Sequence, residues 1–381
     1  MSAIFSEPFR RCWAEIDLNA LRHNVATIRE HAGAGAGILA VVKANAYGHG
    51  VIELARELRY LVEMFGVASV AEALQLRRAA PDTPILVLGP ALPEEREAMV
   101  RHGMIPVVSS LEEARAYDAL AQSLKLAEPF PIHLKVDTGM GRIGVWHEEA
   151  LAAARAMAAL PGIRLAGVAT HLPAADEDAA WTGAELAAWE TFVRSLGEAG
   201  IEVPVVHALQ SAGTILFHRQ ALVHDGADLI RPGLILYGCS PVPEFQARLR
   251  PVLAWKSRIT LLREVPAGRT VSYGRTFVTP APMRIATVCA GYADGYPRHL
   301  SNAGAQVLIG GRRCAVLGRV TMDQILVDAD AVPEAAVGDE VVLIGRQGSE
   351  EIPVAELAEK SGTIPWEIFT GISSRVVRYY L

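Results

Sequence analysis

The sequence feature that most constrains the fold is a regular alternation of short apolar runs and helix-like segments between residues 38 and 232. The apolar runs are continuous, as expected for parallel strands that helices cover. They lie at 38–43, 65–70, 85–89, 105–109, 132–137, 165–171, 205–209 and 228–232, with helical patterns near 51–60, 70–79, 93–102, 110–122, 147–159, 181–199 and 211–219. Eight such repeats predict a (β/α)8 barrel, and an open doubly wound sheet is the alternative.

The pattern changes in the last third of the chain. Pro241, Pro243 and Pro251 predict a linker, and beyond it strand-like runs follow one another with few helices. These runs lie at 254–265, 269–273, 284–290, 306–309, 313–320, 324–328 and 340–344, with a short helix at 354–361. We therefore expect an α/β protein with an N-terminal barrel over residues 12–240 and a mostly β C-terminal domain over residues 250–381.

The N-terminal strand within residues 1–17 is a candidate to join the β domain. Its alternating pattern begins at Cys12, and either Asp17 or Asn19 is suited to cap a helix that runs from residue 18 to about residue 32.

Composition excludes several classes of function. The 381 residues are 51% hydrophobic and 20% charged, which is typical of a globular protein, and the net charge of −6 argues against nucleic acid or an anionic membrane as the main partner. No secretory leader and no apolar run of membrane-spanning length is visible, which predicts a cytoplasmic protein. Cys12, Cys239, Cys289 and Cys314 are scattered, so we expect reduced thiols, with neither disulfides nor a zinc site.

Chemically unusual residues stand at the carboxyl ends of the predicted barrel strands, where barrel enzymes place their active sites. Lys43 ends the first apolar run, and burial there lowers an amine's pKa and suits it to Schiff-base chemistry. The structural alternative is a lysine that extends to solvent. Other polar groups at strand ends lie at 135–142, 170–171, 211–213 and 231–233. Each alone has an ordinary explanation as a turn or an ion pair, but together they predict one site.

Ser211 stands where a predicted helix begins, so its hydroxyl and free backbone N–H groups suit a phosphate. Tyr47, just after the lysine strand, is placed to add a phenol donor to such a site. Arg231 always keeps its proton and can only donate hydrogen bonds.

The segment at 40–50, AVVKANAYGHG, resembles the cofactor-lysine motif of the alanine racemases, which are pyridoxal 5'-phosphate enzymes. Segments at 137–144, 231–238, 271–274, 291–296 and 318–324 are similar to further motifs of that family, in the same order. The resemblance covers nearly the whole chain. It implies a barrel followed by a β domain, and a homodimer in which each β domain completes the partner's active site.

The resemblance also implies a role for each matching residue. Lys43 would form the aldimine with the cofactor and act as one base, and Tyr273 from the opposite subunit would be the second base on the other face of the α-carbon. His171 and Arg231 would form the hydrogen-bonded chain behind Tyr273, with Arg231 aimed at the pyridine nitrogen. By the same resemblance, Tyr47, Ser211 and Gly233 would bind the cofactor phosphate. Arg142 and the Met322 backbone would bind the substrate carboxylate, and a carbamylated Lys135 would orient Arg142. Tyr292 would line the entry to the site, and Asp323 would support it.

Four positions depart from the family pattern: Gln210, the stretch 172–176, Thr321 and Ser374. Ser374 stands where some members have a tyrosine, and its small size suggests a looser pocket that turns over serine besides alanine. The predicted function is interconversion of L- and D-alanine, with D-alanine supplying the cell wall. The alternatives are a broader-specificity amino-acid racemase, a decarboxylase on the same fold and a non-enzymatic carrier of the cofactor.

Overall fold

The computed structural model describes residues 10–33, 35–221 and 228–381. These residues form two compact units. The first, the barrel unit, comprises residues 21–46 and 51–250; the second, the β unit, comprises the described residues through Ala20, residues 47–50 and residues 251–381. The predicted domain limits of 12–240 and 250–381 stay predictions.

The barrel unit is built on eight parallel strands. They are Gly37–Val41, Met64–Val67, Ile85–Val87, Ile105–Val108, Phe130–Asp137, Ile163–Ala169, Val206–His207 and Leu229–Ile230. The first seven strands pair successively in chain order, and the eighth pairs with the first through Leu229 and Gly37. A bridge between Val206 and Asp228 joins the remaining edges, so the sheet returns on itself as the eight repeats predict.

Helices follow the barrel strands. The helix Leu18–Ala32 precedes the first of these strands, and the later helices are Val51–Leu58, Val70–Arg77, Arg96–Arg101, Leu111–Ser123, Ala150–Ala158, Ala179–Glu198, Ser211–Ala221 and Pro243–Gln246. Three begin at side-chain caps that accept a backbone N–H, supplied by Ser69, Ser110 and Asp178. Asp17 caps the first, since its Oδ1 accepts the N–H of Ala20 at 2.9 Å.

The β unit contains a second sheet in which nearly all pairings are antiparallel. Its strands are Cys12–Ile16, Leu253–Val265, Met283–Val288, Gln306–Ile309, Arg312–Leu317, Ile325–Asp328, Glu340–Gln347, Glu350–Ile352 and Val377–Tyr380, and Thr270–Val271 and Phe277–Val278 form a separate pair. The long strand Leu253–Val265 pairs on one side with Met283–Val288 and on the other with Glu340–Gln347. Six strands thereby close into a ring, and helices Val354–Ser361 and Pro365–Gly371 follow it in the chain.

The architecture confirms the predicted barrel and mostly β domain, with local corrections. The predicted linker contains a short helix, Pro243–Gln246, because proline is well tolerated in a first helical turn. The first barrel strand ends at Val41, two residues before Lys43. The fifth strand is not a uniform apolar run, since buried His133, Lys135 and Asp137 occupy every second position.

Candidate active site

The alternation in strand Phe130–Asp137 places its polar residues on one face. Successive side chains of a strand point to opposite sides, so the face carrying His133, Lys135 and Asp137 is opposite that carrying the apolar residues. The polar face points into the barrel, because His133 Nδ1 lies 2.9 Å from Nε2 of His207, two strands away.

Arg231 is the centre of the hydrogen-bond network in the barrel. It is 5% exposed, and its Nη1 donates to the carbonyl of His207 at 2.7 Å and to Nδ1 of the same residue at 3.0 Å. Its Nη2 donates to the carbonyls of Thr170 and Ala208 at 2.7 and 2.9 Å and lies 3.3 Å from Nδ1 of His171. None of these bonds uses Nε–H. Burial, and then the charge of Arg142, lower the pKa of Arg231 to about 9, which leaves it charged at neutral pH.

His171 is held in one protonation form by this arrangement. Burial, followed by the charge of Arg231, lowers its pKa to about 2, so the ring is neutral at physiological pH. Because a guanidinium can only donate, Nδ1 of His171 is the acceptor and Nε2 carries the hydrogen. His171 therefore presents an N–H donor on the side away from Arg231.

Lys43 opens a turn of unusual conformation. Ala44, Asn45, Ala46 and Tyr47 all have φ between 49° and 54°, the left-handed region. Glu72 accepts the N–H of Ala44 at 2.8 Å and thereby holds the backbone beside the lysine. Burial and then the charge of Arg142 lower the pKa of the Lys43 amine, while the Glu72 carboxylate raises it.

The turn after the fifth strand carries Arg142. Asp137 organises it, because its two carboxylate oxygens accept the N–H groups of Gly139, Gly141 and Arg142 at 2.9 to 3.2 Å. Lys135 lies below this turn and is 6% exposed. Burial, then the charges of Arg231 and Arg142, lower the pKa of Lys135 well below its usual value.

The start of helix Ser211–Ala221 corrects one sequence-based expectation. The N–H of Gly213 is not free, because Oε1 of Gln210 accepts it at 2.7 Å and the Gln210 carbonyl accepts the N–H of Thr214 at 2.7 Å. Gln210 thus caps the helix. The buried Ser211 hydroxyl accepts the N–H of Gly233 at 3.0 Å, which brings two predicted phosphate ligands together.

The other predicted site residues lie in the β unit. Tyr47 is buried, and burial raises its pKa to about 12 despite a hydrogen bond with the side chain of Trp366. Tyr273, Tyr292 and Met322 are 69%, 42% and 51% exposed.

Hydrogen bonds and ion pairs bring the loops of these exposed residues together. The N–H groups of Tyr292 and Ala293 donate to the carbonyls of Thr321 and Met322 at 3.0 and 2.9 Å. Arg375 pairs with Asp323 at 2.9 Å and with Asp294 at 3.4 Å, so it ties the Met322 loop to its neighbour. The Ser272 hydroxyl, next to Tyr273, donates to the carbonyl of Arg319 at 2.5 Å.

The structure therefore collects the predicted site residues into two groups, one in each unit. The barrel group is Lys43, Lys135, Arg142, His171, Ser211, Arg231 and Gly233. The β-unit group is Tyr47, Tyr273, Tyr292, Met322 and Asp323. Sequence reasoning missed His133 and His207, although the alternation of polar and apolar residues at 132–137 would have indicated the first.

The barrel group has a strong excess of positive charge. Arg142, Arg231, Lys43 and Lys135 all lie close enough to depress the pKa of His171. Asp137 is the carboxylate that opposes them at Lys135, and its two oxygens also accept backbone N–H groups. A site of this kind attracts an anion, such as a phosphate or a carboxylate. The fold and site together define a barrel enzyme with a reactive lysine that acts on a small anionic molecule.

Comparison with known proteins gives the family. Residues 16–241 match the family model "Alanine racemase, N-terminal domain", and residues 252–380 match "Alanine racemase, C-terminal domain". The chain belongs to the alanine racemase family, and it is an isomerase. An alanine racemase from Halothermothrix orenii is 43% identical over 375 residues, which are 97% of each chain.

Solved structures agree with this assignment. An alanine racemase from Clostridium difficile superposes with a TM-score of 0.90 at 35% identity, covering 98% of this chain and 97% of that one. An alanine racemase from Bartonella henselae, solved with covalently bound pyridoxal phosphate, gives a TM-score of 0.86 at 31% identity and covers 97% and 99% of the two chains. These relatives give no support to the broader-specificity alternative.

Proposed function

We propose that the chain interconverts L- and D-alanine with pyridoxal 5'-phosphate, as a homodimer with shared active sites. The observation that carries this proposal is the cluster of basic groups around a lysine of lowered pKa. That combination suits an aldehyde cofactor with a phosphate and a substrate with a carboxylate. In the cell, the chain would work in the cytoplasm and supply D-alanine for the cell wall.

The residues of the barrel unit fit the cofactor. Lys43 would hold it covalently, and the N–H of Gly233 and the hydroxyl of Ser211 would bind its phosphate. The family resemblance adds Tyr47, of the β unit, as a further phosphate ligand. Arg231 has its terminal nitrogens engaged, and among the described residues no bond to Nε–H is seen, so this donor suits the pyridine nitrogen. The bound cofactor supplies an electron sink for negative charge at the substrate α-carbon, and a donor that leaves the ring nitrogen unprotonated moderates that sink.

Two bases on opposite faces of the α-carbon would perform the inversion. The Lys43 amine moves a proton at one face, helped by its lowered pKa. We assign the other face to the phenol oxygen of Tyr273 of the partner subunit. The Nε2–H of His171 is the donor suited to stabilise a phenolate at that position.

Arg142 and, in the dimer, the backbone of Met322 of the partner subunit would hold the substrate carboxylate. Lys135 supports Arg142 in this proposal by reacting with carbon dioxide: its neutral amine forms an N–C bond, loses one proton and becomes a carbamate. Such an anion beside Arg142 and Arg231 would offset part of the local positive charge. Tyr292 would line the entry, and Asp323 would steady the Met322 loop through Arg375.

The proposal is tested with the purified chain, loaded with cofactor, in a chiral assay on L-alanine and on a panel that includes L-serine. We expect D-alanine to form, and borohydride followed by peptide mapping to fix the cofactor on Lys43. Lys43→Ala should abolish both signals, whereas Lys125→Ala, at an exposed lysine, should leave them intact. Absence of D-alanine from loaded wild-type protein, or labelling of another lysine, would refute the proposal.

A further inference from the structure

A line of three hydrogen-bonded groups runs from Arg231 into the barrel interior. Nη1 of Arg231 lies 3.0 Å from Nδ1 of His207, and Nε2 of His207 lies 2.9 Å from Nδ1 of His133. The three residues are 5%, 1% and 1% exposed, so water does not compete for these bonds. His133 ends the line on the fifth strand, two residues before Lys135.

The donor properties of these groups fix the direction of every hydrogen bond. Arg231 can only donate, so Nδ1 of His207 is an acceptor. A neutral His207 then carries its hydrogen on Nε2 and donates it to Nδ1 of His133. His133 in turn carries its hydrogen on Nε2. Each ring is thus restricted to one tautomer by its neighbour.

Burial and neighbouring positive charges disfavour protonation of both rings, which agrees with this direction. Burial and then the charge of Arg231 lower the pKa of His207 well below its usual value. Burial and then the charge of Arg164 lower the pKa of His133 to about 3. The other basic group facing His207 is Lys135, which also opposes a proton there. A protonated His133 would have a donor at Nδ1 and would oppose the N–H of His207.

The backbone leaves room for the His133 ring at one place. Gly167 pairs with His133 in the neighbouring strand, and a Cβ atom at Gly167 would lie 2.5 to 2.7 Å from three atoms of that ring. Real Cβ atoms do not approach so closely, so any larger residue at 167 would displace the ring. Sequence and packing together therefore hold His133 in the position where it accepts from His207.

We propose that His133 is a positioning residue for the racemase reaction: by accepting the hydrogen of His207 Nε2 it locks the His207 tautomer that holds the Arg231 guanidinium in place. This inference rests on the proposed role of Arg231 as the donor that would bind the pyridine nitrogen of the cofactor. Loss of the acceptor would leave a buried N–H of His207 unpaired, and His207 would then be free to change tautomer or orientation. The effect would reach the reaction through the direction in which Arg231 Nε–H points.

The test compares His133→Leu, which removes the acceptor, with His133→Asn, whose amide oxygen can replace Nδ1. We expect His133→Leu to lower kcat at least about tenfold with little change in KM, and His133→Asn to recover most of that loss. Nitrogen-15 NMR of labelled histidines should show His207 with its hydrogen on Nε2 in the wild type and in His133→Asn, and a mixture of tautomers in His133→Leu. The absorbance of the bound cofactor should shift in His133→Leu alone.

A backbone variant provides a second route to the same result. Gly167→Ala should displace the His133 ring and reproduce the effects of His133→Leu. Gly183→Ala is the matched control, because a Cβ at Gly183 meets nothing within 4 Å.

Unchanged kcat and an unchanged His207 tautomer in His133→Leu would overturn the inference. Equal losses in the Leu and Asn variants with the tautomer intact would also overturn it, because a purely structural role predicts that result. The NMR measurement separates this inference from the proposed function, since it reports the His207 tautomer even if wild-type protein makes no D-alanine.

Discussion

At the scale of single residues, the barrel site is defined by an excess of basic side chains over the carboxylates that act on them. The charge of Arg142 lowers the pKa of both Lys43 and Arg231, and Glu72 is the carboxylate that raises the pKa of Lys43. Glu72 also accepts the N–H groups of Ala44 and Ala68 at 2.8 and 2.7 Å. One side chain therefore sets both the backbone position and the basicity of the reactive lysine.

This arrangement predicts the effect of Glu72→Gln. Because the Glu72 carboxylate raises the pKa of Lys43, its removal should lower that pKa further. The pH at which Lys43 reacts half-maximally with an amine-modifying reagent in cofactor-free protein should then move to a lower value. Glu53→Gln, at a glutamate that pairs with Arg56, serves as the control and should cause no shift. A shift to higher pH in Glu72→Gln would contradict the assigned role.

Much of the site could be predicted from the sequence because its residues stand at strand ends. Lys43, Arg142, His171 and Arg231 follow apolar runs, and a barrel brings such positions together. His207 could not be found this way, since one histidine in an apolar run has no distinguishing pattern. Its role depends on a distance to Arg231, which only the folded chain defines.

At the scale of elements, the segment after Lys43 stores backbone strain. An L-residue in the left-handed region costs about 1–2 kcal/mol, and four successive residues adopt it here. The Asn45 side chain accepts the N–H of Val51 at 2.8 Å, and the carbonyl of Val42 accepts the N–H of Ala46 at 2.8 Å, which helps to offset that cost. Strain of this kind next to a reactive group is common at functional sites.

Gly48, which continues this segment, gives a stability prediction. It has φ of +79°, and a Cβ there would collide with the carbonyl oxygen of Phe369, within the same β unit. Gly48→Ala should therefore lower the free energy of unfolding by at least about 2 kcal/mol. Gly362→Ala, at φ of +70° but in open space, should lower it by only about 1 kcal/mol. Equal losses in urea unfolding experiments would show that the Phe369 contact is unimportant.

Element types were more predictable than element limits. The helix Val354–Ser361 and the strand Gln306–Ile309 have the predicted limits, because caps and Gly-rich turns border them. The helix Pro365–Gly371 and the strand Val377–Tyr380 were missed. The strand pairs with Cys12–Ile16 from the other end of the chain, and sequence patterns carry no information on such a distant partner.

At the scale of the whole molecule, the buried histidines predict sensitivity to acid. His133 and His207 have folded pKa values far below about 6.5, the value in an unfolded chain. Below pH 6.5 the unfolded chain therefore binds protons that the folded chain excludes, and stability falls with pH; above pH 6.5 neither state binds them. Each histidine contributes a slope that approaches about 1.4 kcal/mol per pH unit once the unfolded form is fully protonated.

The acid prediction is checked by urea unfolding of wild type and His133→Asn between pH 7 and 5. The variant lacks one of these titrating groups, so its free energy of unfolding should fall by about 2 kcal/mol less than that of wild type over this range. Identical slopes would mean that His133 is not excluded from protonation in the folded chain.

Among the described residues, no helix combines the length and apolarity needed to cross a membrane.

The exposed side chains of the β unit bear on assembly. Tyr273, Tyr292 and Met322 belong to loops that hydrogen bonds hold together, and large exposed side chains in one loop cluster are typical of a surface that meets another chain. In a symmetric dimer each chain would offer this surface to its partner's barrel and receive the same surface in return. The proposal therefore requires Lys43 and Tyr273 of one site to come from different chains.

The most direct test is subunit complementation. Lys43→Ala and Tyr273→Phe chains should each be inactive alone, because every site lacks one base. Equal co-expression should restore about a quarter of wild-type activity, since half of the dimers are mixed and one of their two sites holds both bases. If the mixed preparation stays as inactive as its components while mixed dimers are present, Lys43 and Tyr273 do not face each other from different chains and the two-base account fails.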